Sequence, residues 1–166
     1  FVGDFCFKVS RLRELGGFIK FPLAWGSDDI TVFSAATEHG IVNLVSPSIK
    51  YRFNSQTIST SGNVETKLHA IALEEDWYSN FLATYKTDDF AEKLDLKYIE
   101  NHYKNKIAIK KAQCIAEDMN ISVHRLFKWL FSKKEYSLSN VILVVALVEY
   151  MKLKYQSRRG QRMAYQ

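Results

Sequence analysis

From residue 63 to about residue 154 the apolar residues recur at helical spacing, and this pattern dominates what the chain can fold into. Asn63 stands as an N-cap before a run to about Lys86, with Leu68, Ile71, Ala72, Tyr78 and Leu82 inward and Trp77 and Phe81 beside them. A second helix carries Leu96, Ile99, Tyr103 and Ile107, and later Cys114 and Ile115. Val123, Leu126, Phe127, Leu130 and Phe131 recur at i, i+3, i+4, i+7 and i+8. A last, strongly apolar helix is expected from Ser139 to about Lys154.

The first third reads differently. Val2 to Phe7 has the composition of a buried strand, and Ser10 to Leu15 that of a short helix capped by Ser10 and stopped by Gly16-Gly17. After the break at Pro22, a helix with Ser27 as N-cap is expected from Asp28 to about His39, with Val32, Phe33 and Ala36 on one face and Gly40 as its stop. Ile41–Val45 and Ile49–Arg52 are expected as two short strands joined by Ser46-Pro47-Ser48, and Asn54 to Gly62 as a polar loop. The expected fold is therefore α/β and predominantly α, with an organised unit over 1–62 and a helical region over 63–166. The chain opens on Phe1, already within a strand-like segment, so a longer parent protein is expected.

Composition narrows the classes. With 47% hydrophobic and 14% aromatic residues, the 166-residue chain can bury a core and is too apolar for a disordered segment. Cys6 and Cys114 lack partners at metal-site spacing, and His39, His69, His102 and His124 lack mutual metal spacing, so no metal site is assigned. A reducing compartment fits two isolated thiols. The start lacks the order of a secretory leader, and the longest apolar run, Val141 to Val148, is far short of the roughly 20 residues that span a bilayer. The expected setting is cytoplasmic, at most peripheral to a membrane. The net charge of +5 conceals a −4 balance over residues 1–96 and a +9 balance over residues 97–166. The basic half suits an anionic neighbour or is simply a solvated face.

Candidate chemistry concentrates between Gly16 and Arg52. Asp28 and Asp29 fall in the first turn of a helix, where free N–H groups and the positive dipole end stabilise carboxylates. Taken alone, acids at a helix start are far more often simple capping residues.

Their surroundings carry a resemblance. Gly16-Gly17-Phe18, followed after a short interval by Trp25-Gly26-Ser27-Asp28-Asp29-Ile30, resembles the Gly-Gly-Phe and Glu-Asp segment of family-2 glycosyltransferases. Phe21-Pro22-Leu23-Ala24-Trp25, Tyr51-Arg52 and Ile58-Ser59 are similar to the bacterial branch that decorates surface polysaccharides. The resemblance covers roughly residues 2–75. It implies the C-terminal, acceptor-side part of a GT-A fold with a helical extension, and an inverting transfer from a nucleotide-sugar donor to a glycan or lipid-linked acceptor hydroxyl. It further implies Asp29 as the catalytic base and Asp28 as an acceptor contact, although Asp28 stands where the family has Glu. Trp25 would lie beside the acceptor sugar or else be a core residue, and Arg52 would reach the donor diphosphate or else be a surface strand residue.

The chain departs from that family in one respect. The family's divalent metal, Mn²⁺ or Mg²⁺, is held by Asp-x-Asp, which occurs nowhere in these 166 residues; Glu74-Glu75-Asp76 comes nearest and reads as a solvated helix face. Metal and nucleotide are thus expected to bind outside this chain, which alone should be inactive. A second reading takes Ile115 to Ser122 and Val123 to Phe131 as a helix-turn-helix, with a turn at Asn120, Ser122 as cap, and His124, Arg125 and Lys128 facing nucleic acid. In a third, Lys133, Lys134, Lys152, Lys154, Arg158, Arg159 and Arg162 meet membrane phosphates.

Overall fold

The computed structural model describes residues 5–37, 40–43, 63–122 and 124–163, and these form six α-helices and one 3-10 turn. The helices are α1 (Val9–Glu14), α2 (Ser27–Ala36), α3 (Val64–Thr84), α4 (Phe90–Ile121), α5 (Arg125–Phe131) and α6 (Asn140–Met163). Contacts divide the chain into two compact units, Phe1–Glu74 and Glu75–Gln166, so α3 contributes residues to both.

The predominantly helical expectation holds, whereas its β component does not among the described residues. Phe5 to Phe7 and Ile41 to Asn43 carry no secondary structure; the remainder of those two expected strands, and all of Ile49–Arg52 and the Asn54–Gly62 loop, lie outside the described residues. A strand exists only where a second extended segment accepts its N–H and C=O groups. Phe7 is instead anchored by its ring, which meets Phe18 edge-on at 5.5 Å.

Local punctuation works largely as the sequence suggests. α1 ends in a Schellman arrangement: Gly17 N–H donates to Leu12 C=O at 2.8 Å and Gly16 N–H to Arg13 C=O at 3.0 Å, with both glycines left-handed. Ser10 is not its cap, because the helix already begins at Val9 behind Lys8. Gly40 N–H closes on Ala36 C=O at 2.7 Å after α2. Asn63 Oδ1 accepts Thr66 N–H at 2.7 Å, the side-chain cap expected for α3, which ends at Thr84 rather than Lys86. Asp89 caps α4 through Glu92 N–H at 2.9 Å, and the Ser139 hydroxyl accepts Ile142 N–H at 3.2 Å at the start of α6.

In the second unit α4 is the spine, and α6 and α5 pack against it. Its buried residues include Tyr103, Ile107, Cys114, Ile115 and Met119, while Ile142, Leu143 and Ala146 are buried on α6. Tyr78 stacks on Tyr103 with ring centroids 4.8 Å apart. The expected apolar stripe of α5 is corrected here: Phe127, Leu130 and Phe131 face solvent, and Trp129 is the buried residue. Trp129 Nε1–H donates to Asp118 Oδ2 at 3.0 Å, and Arg125 pairs with Asp118 as well. A buried carboxylate that fixes the indole outweighs the apolar count, because its own desolvation demands those donors.

Candidate functional site

The first unit is organised around the N-terminal turn of α2. Past the glycines the chain runs extended, and two buried hydroxyls take the place of a strand partner. Ile19 N–H donates to Thr31 Oγ1 at 3.0 Å, and Phe21 N–H donates to Ser27 Oγ at 3.1 Å. Thr31 Oγ1 in turn donates to Ser27 C=O at 2.6 Å, and Arg11 reaches Ser34 C=O at 3.4 Å. The expected cap role of Ser27 is therefore corrected: Gly26 is the N-cap, and the Ser27 side chain points its acceptor at Phe21 instead. Two hydrogen bonds thus hold the segment after Gly17 to α2, and a third joins α1 to it.

Between those anchors lies unusual backbone. Leu23 and Ala24, after Pro22, have φ of 57° and 52°, left-handed values that cost side-chain-bearing residues about 1–3 kcal/mol each. They persist because the flanking Phe21 and Trp25 are fixed: Ala24 N–H and Trp25 N–H close on Phe21 C=O and Pro22 C=O at 2.9 and 3.1 Å. The loop delivers Trp25 and then Gly26, at φ 80°, to the start of α2.

Asp28 and Asp29 do lie in the first turn of α2, both half-buried, while Ser27, Ile30 and Thr31 around them are buried. The sequence reading missed what lies behind them. Glu74 is fully buried (0% exposed), and its Oε2 is 2.7 Å from the point a Cβ on Gly26 would take. Lys67, two turns earlier on α3, is also buried, with its ammonium 4.8 Å from the centroid of the Trp25 ring. One face of Trp25 is therefore occupied by a cation.

Glu74-Glu75-Asp76 is thus not the solvated face expected from sequence. Glu74 abuts the N-cap of α2, Glu75 binds the buried Lys111 ammonium at 2.6 Å, and Asp76 alone is exposed. A signal was present: Lys67, Ile71 and Glu74 are spaced i, i+4 and i+7, so both charges share the core-facing side of α3. The same geometry yields a test. Gly26→Ala forces a left-handed alanine onto the Glu74 carboxylate and is expected to cost about 1–3 kcal/mol, measured as a lower denaturation midpoint; an unchanged midpoint would show the contact to be slack.

Arg52 lies outside the described residues. Among the described residues no three His, Cys, Asp or Glu side chains assemble a metal site. The helix-turn-helix candidate is altered: Ser122 is the extended C-cap of α4 and offers its C=O, not its side chain, to Arg125 N–H at 3.0 Å. Arg125 is committed to Asp118, and the Lys128 ammonium lies 4.6 Å from the Trp129 ring centroid, which leaves His124 exposed before them. No helix of the described residues is long and apolar enough to cross a membrane. Comparison with known proteins finds no matching family model, curated protein or solved structure.

Proposed function

We propose that this chain supplies the acceptor side and the catalytic base of an inverting glycosyltransferase with GT-A architecture, acting on a glycan or lipid-linked acceptor. The observation that carries the reading is the first turn of α2: two half-buried carboxylates on a backbone held by the hydrogen bonds of the buried Ser27 and Thr31 hydroxyls. Such pre-organisation suits a base, which must meet one hydroxyl at hydrogen-bond distance. A mere capping acid does not require it.

In this reading Asp29 accepts the proton of the acceptor hydroxyl as its oxygen bonds to the anomeric carbon and the bond to the nucleoside diphosphate breaks. The oxocarbenium-like transition state makes the carbon strongly electrophilic, so the proton leaves late and a carboxylate of ordinary basicity suffices. Asp28 orients the acceptor, and Trp25 offers an apolar surface to its ring. Arg52 would meet the diphosphate. A divalent cation bound outside these residues would supply charge neutralisation for that leaving group.

The parent protein, given a nucleotide-sugar, Mn²⁺ and a glycan acceptor, is expected to yield a product of inverted anomeric configuration, read by NMR of the anomeric proton. Retained configuration, or no transfer from any donor, sinks the proposal. The 166-residue chain alone is expected to transfer nothing under the same conditions, and robust turnover by it would overturn the assignment of the donor site elsewhere. Nucleic-acid binding has less support, since Arg125 and Lys128 are engaged within the second unit.

A further inference from the structure

α6 has two apolar faces. Ile142, Leu143 and Ala146 are buried, and α4 is the helix that packs against α6. Val141, Val144, Val148, Met151 and Tyr155 are all exposed, between 41% and 70%, and their spacing of three, four, three and four residues draws one stripe. At about 100° per residue the stripe centres on the side opposite the buried set. It extends for about 21 Å, a contiguous apolar surface of a kind that marks an interaction site.

Charge identifies what covers it. Lys152 and Lys154 are exposed beside the stripe, and Glu149, the one acid of α6, is held by Lys152 at 2.6 Å. The sequence beyond Tyr155 adds Arg158, Arg159 and Arg162, within a half-chain carrying +9. A second copy docked on the stripe would set lysine against lysine, over little more than two heptads. α5 repeats the combination with exposed Phe127, Leu130 and Phe131, and the exposed Lys134 follows in the next turn. Apolar residues flanked by lysines on two separate helices suit a fluid anionic surface, which requires no matching groove.

We infer that the outer face of α6 docks onto anionic lipid headgroups, with the Val141–Tyr155 stripe entering the acyl boundary and the lysines meeting phosphates. The docking is independent of the transferase reading, so the failure of either leaves the other standing.

Flotation of the 166-residue chain with vesicles of equimolar phosphatidylcholine and phosphatidylglycerol, against phosphatidylcholine alone, tests it. Binding is expected to the anionic vesicles only, and to weaken as salt is raised. Val144→Ser with Val148→Ser, both exposed and so compatible with an unchanged melting transition, is expected to lower binding about tenfold or more. Lys152→Gln is expected to lower it about fivefold. Absence of binding to anionic vesicles, equal binding to both vesicles, or a lipid-indifferent dimer dissolved by the valine substitutions each overturns the inference.

Discussion

Under the proposed transferase reading, Asp29→Asn is expected to lower the rate of sugar transfer by about 100- to 10,000-fold while leaving the melting transition of the chain nearly in place. The amide matches the carboxylate in shape, so the first turn of α2 keeps its anchors through Ser27 and Thr31. What it lacks is the ability to take a proton. The loss of one negative charge near a helix N-terminus costs about 0.3–1 kcal/mol. Asp28→Asn provides the contrast: an acceptor contact chiefly raises KM, whereas a base lowers kcat. Steady-state kinetics of both variants separate the roles, and an Asp29→Asn enzyme retaining most of its turnover would remove Asp29 from the chemistry.

The second large effect is structural. Trp129→Ala is expected to destabilise the second unit by about 3–5 kcal/mol, because Trp129 is the largest fully buried side chain and its deletion leaves a cavity. The substitution also removes the indole donor to Asp118, leaving that buried carboxylate with Arg125. Trp129→Phe keeps much of the volume but not the N–H group, and is expected to cost about 1–3 kcal/mol. Urea titration followed by far-ultraviolet circular dichroism reads both; equal midpoints for the alanine variant and the parent chain would mean that α5 is not anchored there.

These two sites differ in how far the sequence exposed them. The Asp28-Asp29 position was legible, since a helix start is announced within a few residues by Pro22, Gly26 and the apolar positions that follow. The cap was misassigned to Ser27 because Ser is the commoner cap, and only the approach of Phe21 N–H shows where its hydroxyl is used. Asp118–Trp129 was hidden for a different reason. The apolar spacing of Val123, Leu126, Phe127, Leu130 and Phe131 is a genuine helical stripe, yet Phe131 is 87% exposed. Periodicity finds an amphipathic face; it does not say that a partner covers it.

The sequence by itself determined the helices and most of their ends, because those depend on neighbours a few residues away. Gly16-Gly17 and Gly40 supply carbonyl-closing N–H groups, and Asn63 and Ser139 supply oxygens to the next turn. It also determined the basic half of the chain, which is simple counting. The tertiary structure alone decided what compensates the interior charges Lys67, Glu74, Lys111 and Asp118, of which only Lys67 and Glu74 are signalled by their spacing. An ion can be buried only where another element brings a compensating group, and such partners, Trp25 for Lys67 and Glu75 for Lys111, come from 42 and 36 residues away. No local pattern encodes that distance.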